Sequence, residues 1–318
     1  MKKLITLSLT VLLAITACFS LVGCGNSEEE KPTPSQTAVN FVGASDQLSA
    51  MQSVLQGDAD LAVVDKINAE YFCKPSAQLA GLSVLSTSEV DLKNEVSYGF
   101  AVKAGSDIDV ILNAALYELQ QTGVLSTVAV RKGFEPSALS IIPAPEVKFA
   151  DIKNGTYTSD AWAQIVKKGN IQVGYVRGDN FQDDPLLQRS QYGSIDGLEL
   201  QIFVEIFNLF GMTVDKQYNA ADNLEMLEDE DTTDITGYDI ANELDNGTVD
   251  VVIGRMPSTS TGVDMTVSFI KDKPVMVVKS ENADKNLEFF KTKKFTAKTG
   301  SIGETLIKGQ INDLLFAK

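Results

Sequence analysis

The chain has 318 residues, 44% of them hydrophobic and 22% charged, an ordinary globular composition with room for one large domain or two moderate lobes. Its formal net charge of −16 makes nucleic acid and acidic membrane surfaces poor partners. It contains no histidine, which excludes Ser-His and Cys-His catalysis and His-zinc sites.

Lys2 and Lys3 precede the apolar run LITLSLTVLLAITACFSLVG, which ends at Cys24. A basic start, an apolar stretch and small residues near its end read as a signal peptide over residues 1–23 rather than a membrane-spanning helix. The tetrapeptide LVGC (Leu21–Cys24) resembles the bacterial lipobox, whose cysteine is lipidated and becomes the mature N-terminus. ITAC at Ile15–Cys18 is a competing site with a shorter apolar run. The following GNSEEEKPTPSQT is too polar to bury a core, so residues 24–37 read as a flexible tether. Cleavage before Cys24 would leave Cys73 as the other thiol and no intramolecular disulfide. The resemblance implies a diacylglyceryl group on Cys24 and a protein held by membrane lipid at an extracytoplasmic face. One acyl anchor alone holds weakly.

Beyond the tether, short strands alternate with helices, which predicts an α/β fold with largely parallel sheets. LSAMQSVLQGDADLAVVD (Leu48–Asp65) reads as an amphipathic helix, a glycine cap and a buried strand, and YDIANELDNGTVDVVIG (Tyr238–Gly254) follows the same plan. Asp60 and Asp250 open the apolar runs. This is either an internal repeat or the common pattern of any αβ unit. SYGFAVKAG (Ser97–Gly105) and NIQVG (Asn170–Gly174) read as strands. VILNAALYELQQTGVLSTVAVRKGF (Val110–Phe134) reads as two helices broken at glycine, and GLELQIFVEIFNLFG (Gly197–Gly211) as one amphipathic helix. MLEDEDTTDITGYD (Met226–Asp239) reads as a solvated acidic loop. The chain closes on a strand at Lys294–Lys298, a turn at Thr299-Gly300-Ser301 and a helix from Ile302, half of a βαβ unit with no strand after it. An open strand edge invites pairing.

IQVG, GLELQIFVEIFNLFG, ELDNGTVDVVIG and VSFIKDKPV, in order from Ile171 to Val275, resemble the first lobe of the family-3, amino-acid-type solute-binding proteins of ABC transporters. LEFFKTKKFTAKTGSIGET (Leu287–Thr305) resembles the entry into their second lobe. The pieces that would follow stand at the front of this chain instead, as AVNFVGASDQLSAMQSVLQGDADLAVVDKINAEY (Ala38–Tyr71) and SYGFAVKAGSDIDVILNAALYELQQTGVL (Ser97–Leu125). The resemblance covers most of the mature chain. It implies a two-lobed, type II periplasmic-binding-protein-like fold, circularly permuted, each lobe a mostly parallel sheet flanked by helices. Residues 38–97 and 281–318 would form lobe 2. Residues 98–280 would form lobe 1, with 136–169 joining the family's usual ends. The strand missing after the C-terminal helix would be Thr37–Gly43, from the same chain or from a domain-swapped neighbour.

Ligands of open α/β sheets bind beyond the carboxyl ends of strands. Those ends carry Tyr175, Arg255, Thr299-Gly300-Ser301, Gly43-Ala44-Ser45 and Asp65. Asp65 matches the family position whose carboxylate takes a ligand ammonium group; the other reading is a helix N-cap. Thr299, Gly300 and Ser301 precede a helix N-terminus suited to an anion, or to plain capping by Ser301. The family's carboxylate-binding arginine is absent from MPSTSTGVDMTVSF, where Gly262 or Val263 stands. Either Arg255 substitutes, or the ligand lacks an α-carboxylate or meets only helix N–H groups. Tyr175 and Phe181 are candidates for stacking on an amine, or for simple packing. No cofactor or metal site is expected.

Three functions compete on these residues. A membrane-anchored binding lipoprotein would capture a small polar solute, an amino acid or related amine, and hand it to an ABC transporter permease. A ligand-sensing or degenerate lipoprotein would partner a receptor. A lyase-type enzyme would need an acid or base such as Glu199, Asp183 or Asp184.

Overall fold

The computed structural model describes residues 37–86, 90–175, 184–189, 195–215 and 237–316. The signal peptide, Cys24 and most of the tether therefore lie outside the described residues, as do Phe181, Asp183 and most of the acidic stretch Met226–Asp239, whose last residues open a helix.

From the N-terminal side the chain runs through β1 (Asn40–Ala44), α1 (Gln47–Gln56), β2 (Leu61–Asp65), α2 (Lys66–Phe72), β3 (Leu82–Val84) and β4 (Val96–Val102). Four helices follow: α3 (Ile108–Gln121), α4 (Val124–Arg131), α5 (Phe149–Lys153) and α6 (Asp160–Lys168). The next stretch holds β5 (Asn170–Tyr175), β6 (Gln188–Arg189), β7 (Ile195–Asp196), α7 (Leu198–Phe210), β8 (Thr213–Asp215) and α8 (Gly237–Asp245). Then come β9 (Val251–Pro257), β10 (Asp264–Met265), β11 (Ile270–Asp272), β12 (Pro274–Lys279), β13 (Lys294–Lys298), α9 (Ile302–Leu306) and α10 (Asn312–Phe316).

Two mixed sheets organise these elements. Sheet I has the order β1-β13-β2-β12-β3, and sheet II the order β8-β5-β9-β4-β10, with β11 also on β4. In each, three neighbouring strands pair in parallel and the remaining pairings are antiparallel, so the expectation of mostly parallel sheets is corrected to mixed ones. The strand missing after the C-terminal βα half is β1. It pairs in parallel with β13 of the same chain along its full length, from Asn40↔Lys294 to Ala44↔Lys298.

The two resembling segments are alike in detail. Gly57 and Gly247 both end their helices in the left-handed region, at φ 91° and 70°, where a side chain is disfavoured. In sheet I the Asp60 N–H donates to Lys294 O (2.8 Å), and the Lys294 N–H returns a bond to Asp60 Oδ2 (2.9 Å). In sheet II the Asp250 N–H donates to Gln172 O (2.8 Å), and the Gln172 N–H donates to Asp250 Oδ2 (2.8 Å). Each aspartate thus fixes the register of the neighbouring parallel strand.

Both sheets are buried on two faces, so successive side chains along a strand enter different cores. Leu61 and Val63 point into one core with Phe290, Phe295 and Ile307; Ala62 and Val64 point into another with Met51 and Val54. In sheet II, Phe100, Val173 and Ile253 pack on Phe203 and Phe207 of α7, and Ala101 and Val252 on Ile240 and Leu244 of α8. Each fully buried aromatic contributes about 1.5–3 kcal/mol.

Two boundaries differ from expectation. Pro274–Lys279, grouped with the 98–280 segment from sequence, pairs antiparallel with β2 and β3 in sheet I, so the chain leaves sheet II at Asp272 and enters sheet I at Pro274. The other crossing lies between β3 and β4. Residues 136–169 are not a bare linker. They carry α5 and α6, whose Ile152, Trp162 and Ile165 are buried in the core of sheet II, with the Trp162 ring 4.6 Å from that of Phe210.

Candidate functional site

The site begins with an irregularity in β9. Val252 pairs with Ala101 and Met256 with Gly99, so Ile253, Gly254 and Arg255 face Phe100 alone. Gly254 and Arg255 bulge out with φ 107° and 51°. A left-handed arginine costs about 1–2 kcal/mol and persists only where its surroundings hold it. Glu199, in the first turn of α7, is the holder. Its fully buried carboxylate accepts the N–H of Gly254 (2.7 Å) and of Arg255 (2.9 Å). Burial pushes the Glu199 carboxyl up to about 7, although these two donors and the Arg255 charge pull the other way.

The bulge aims the Arg255 side chain out of sheet II and toward sheet I. Nε and Nη2 fork onto Asp184 at 2.7 and 3.0 Å. Nη2 also donates to Asn68 Oδ1 of α2 at 2.9 Å. Nη1 donates to Asp65 Oδ2 at 3.3 Å and to Asp272 Oδ2 at 3.4 Å. A guanidinium has five N–H donors, and these five acceptors occupy them all. Its Cζ lies 5.9 Å from the centre of the Tyr98 ring. Burial would lower the Arg255 pKa, but Asp184 and Asp65 outweigh it and raise the group well above its ordinary value.

The partners are themselves fixed. Gln47 Nε2 donates to Asp65 Oδ2, and Gln47 Oε1 accepts from the Asp65 N–H and Asn68 Nδ2. Asp65 stands at the N-terminus of α2, yet its side chain makes no capping bond, which removes the N-cap reading. Asp272 is 3% exposed and accepts the N–H of Ile67 (3.2 Å) and of Lys273 (2.8 Å). Burial first, then the Asp65 charge, push its carboxyl up to about 7 against the pull of Arg255.

Beside this cluster lies a cleft of about 200 Å³, lined from sheet I by Asp65, Lys298 and Ser301 and from sheet II by Val96, Tyr98 and Asp272. Burial lowers the Lys298 pKa, opposed by Asp65 and Asp46.

The structure brings Asp65 and Arg255 together and sets Ser301 at the cleft wall. The turn before α9 offers less to an anion than its sequence suggests. The Thr299 N–H donates to Ala44 O, the Gly300 N–H to Glu304 Oε2 (2.6 Å) and the Ser301 N–H to Lys298 O. Ser301 Oγ accepts the Glu304 N–H, so Ser301 and Glu304 cap α9. Tyr175 does not face the cleft; it is buried in the core of sheet II. Gln47, Asn68, Tyr98 and Asp272 were missed from sequence. Asp272 also closes a strand, β11, and the strand-end rule applied there would have found it.

Fold and site together define an α/β protein with two mixed sheets, a cleft between them with charged groups on both walls, and an arginine that joins the sheets beside it. Comparison of the chain with models of known protein families, with curated proteins and with solved structures found no match.

Proposed function

We propose that the protein is an extracytoplasmic solute-binding lipoprotein, anchored to membrane lipid through Cys24, that captures a small polar amine between two lobes for an ABC transporter permease. The observation that carries this reading is the cleft itself. It lies between two sheets of matching strand order joined by two chain crossings, with Asp65 from one and Tyr98 and Asp272 from the other on its walls. Closure about a small number of connecting strands is a known mode of solute capture. The matching orders also support a type II binding-protein fold in permuted form: β5-α7-β8-α8-β9 is continuous in sheet II, whereas its counterpart in sheet I joins β13-α9 at one end of the chain to β1-α1-β2 at the other. Carboxylates on both walls suit an ammonium group, and Arg255 has no N–H left for a solute carboxylate. Amines are therefore favoured over acids that would depend on Arg255, and Lys298 is the wall cation a solute carboxylate would have to use. Binding is favoured over catalysis because Glu199 is committed to two backbone N–H groups and Asp184 to Arg255.

The test is thermal melting of the full chain in detergent against amines, amino acids and small peptides. A solute at a hundred times its Kd adds about 2.7 kcal/mol to stability. A shift that vanishes in Asp65→Ala supports the reading. A protein that melts cooperatively and shifts with none of these compounds sinks it in favour of a sensing or structural lipoprotein.

A further inference from the structure

We propose that Arg255 is a tethered occupant of the cleft, a latch that holds the two sheets together until a cationic solute takes over its carboxylates, and that Glu199 is the residue that positions it. This rests on the solute-binding reading and adds to it the competitor that a solute meets. Arg255 belongs to sheet II, as does Asp272, whereas Asp65 and Asn68 belong to the β2–α2 junction of sheet I. The guanidinium therefore ties the sheets behind the cleft wall, through Asp65 and Asp272, which line it. Its grip is uneven. The fork onto Asp184 is short, at 2.7 and 3.0 Å, while the Nη1 contacts with Asp65 and Asp272 are the longest it makes, at 3.3 and 3.4 Å. Asp65, Asp272 and the Tyr98 ring line the cavity as well as meeting the guanidinium. A cation entering there meets a cation site already filled from within, and at its weakest contacts. Lys298 also stands on the cleft wall, so what a solute cation gains is the Asp65 and Asp272 contacts it takes from Nη1, with the Asp184 fork left in place.

The aim of the latch comes from its backbone. Gly254 and Arg255 are consecutive left-handed residues, and both N–H groups are held by the Glu199 carboxylate. Glu199→Gln keeps one acceptor and puts a donor against the other N–H, which relaxes the bulge and turns Arg255 away from Asp65.

The test uses the full chain in detergent and methylguanidinium as the probe, with affinity read by calorimetry. Arg255→Ala should bind methylguanidinium about tenfold more tightly than the native protein, because the vacated carboxylates accept it. Asp65→Asn added to that variant should abolish the gain. Glu199→Gln, with Arg255 in place, should shift affinity severalfold in the same direction; a purely structural Glu199 would lower the melting temperature and leave affinity unchanged. A folded Arg255→Ala variant with native affinity overturns the latch. If that variant does not fold, Asn68→Ala decides instead, since it removes a cross-sheet bond and leaves every carboxylate. A severalfold gain supports the latch, and native affinity overturns it. Asp65-dependent uptake of a neutral or anionic solute, without methylguanidinium binding in any variant, defeats the latch and leaves the solute-binding reading standing. Failure of every solute to bind removes both.

Discussion

Glu199 accepts the Arg255 N–H at 2.9 Å inside a strand that would otherwise run straight, and a fully buried carboxylate thereby sets the direction of a half-buried arginine. The same burial gives stability a pH dependence. The Glu199 carboxyl rises from 4.5 unfolded to about 7 folded, so between those values the native state holds the proton more firmly than the unfolded chain. Stability is therefore greatest below about 4.5 in this respect and falls as pH rises toward 7. At 1.36 kcal/mol per pH unit the loss is about 3 kcal/mol. Asp272, raised from 3.8 to about 7, acts in the same direction. Urea midpoints should fall between pH 5 and pH 7.5, and Glu199→Gln should flatten that slope. An unchanged slope in the variant would show that Glu199 titrates normally.

Gly197, which precedes Glu199 by two residues, supports a second prediction. Its φ of 135° and ψ of 174° lie in a region open essentially to glycine alone. A Cβ there would run into the backbone carbonyl of Leu186 and stand 2.8 Å from Leu187 Cα. Neither is a flexible side chain that can swing away. Gly197→Ala should cost about 3 kcal/mol or more, measured by chemical denaturation, and a loss below 1 kcal/mol would mean that the segment at Leu186 yields easily.

The paired aspartates make a third. Asp60→Ala and Asp250→Ala each remove a charge-assisted bond to a backbone N–H, worth about 1.5–3 kcal/mol. Asp250 should cost more, because it also holds Lys168 at 3.3 Å. The two lie in different sheets without a shared partner, so the double variant should lose the sum to within about 0.5 kcal/mol. A marked departure from additivity would reveal coupling between the sheets at these positions.

What the sequence revealed depended on how local the cause was. Helices ending at Gly57, Gly211 and Gly247, and strands such as Leu61–Asp65, follow from periodicity and capping, which act within a few residues. The partner of β13 was legible because the closing βα half called for a further strand and the rotated order of the resemblance supplied Thr37–Gly43. The sheet to which Pro274–Lys279 belongs was not, since nothing local distinguishes pairing with β2 from pairing with β4. α6 was overlooked although Trp162 and Ile165 stand at helical spacing. At the site, strand ends gave Asp65 and Arg255. Gln47, Asn68, Tyr98 and Asp272 come from elements far apart in the chain and are joined only by tertiary folding. The pattern Ser301…Glu304 carried the signal of a capped helix, and that local chemistry outweighed the anion-site reading of the turn.

The join between the chain's two ends in sheet I can be tested for its reach. Phe295 of β13 is fully buried between β1 and β2, and truncation to alanine should cost about 3–5 kcal/mol. The single tryptophan, Trp162, sits in the core of sheet II and reports on that sheet alone. Thr37–Lys318 forms one compact unit, with Arg255 bridging the sheets, so the loss should be shared. Urea unfolding of Phe295→Ala followed by Trp162 fluorescence and by far-UV circular dichroism should give coincident transitions, both displaced from the native midpoint. If the fluorescence transition stays at the native midpoint while dichroism moves, the sheets unfold separately. The crossings at β3–β4 and Lys273 would then act as hinges between independent lobes.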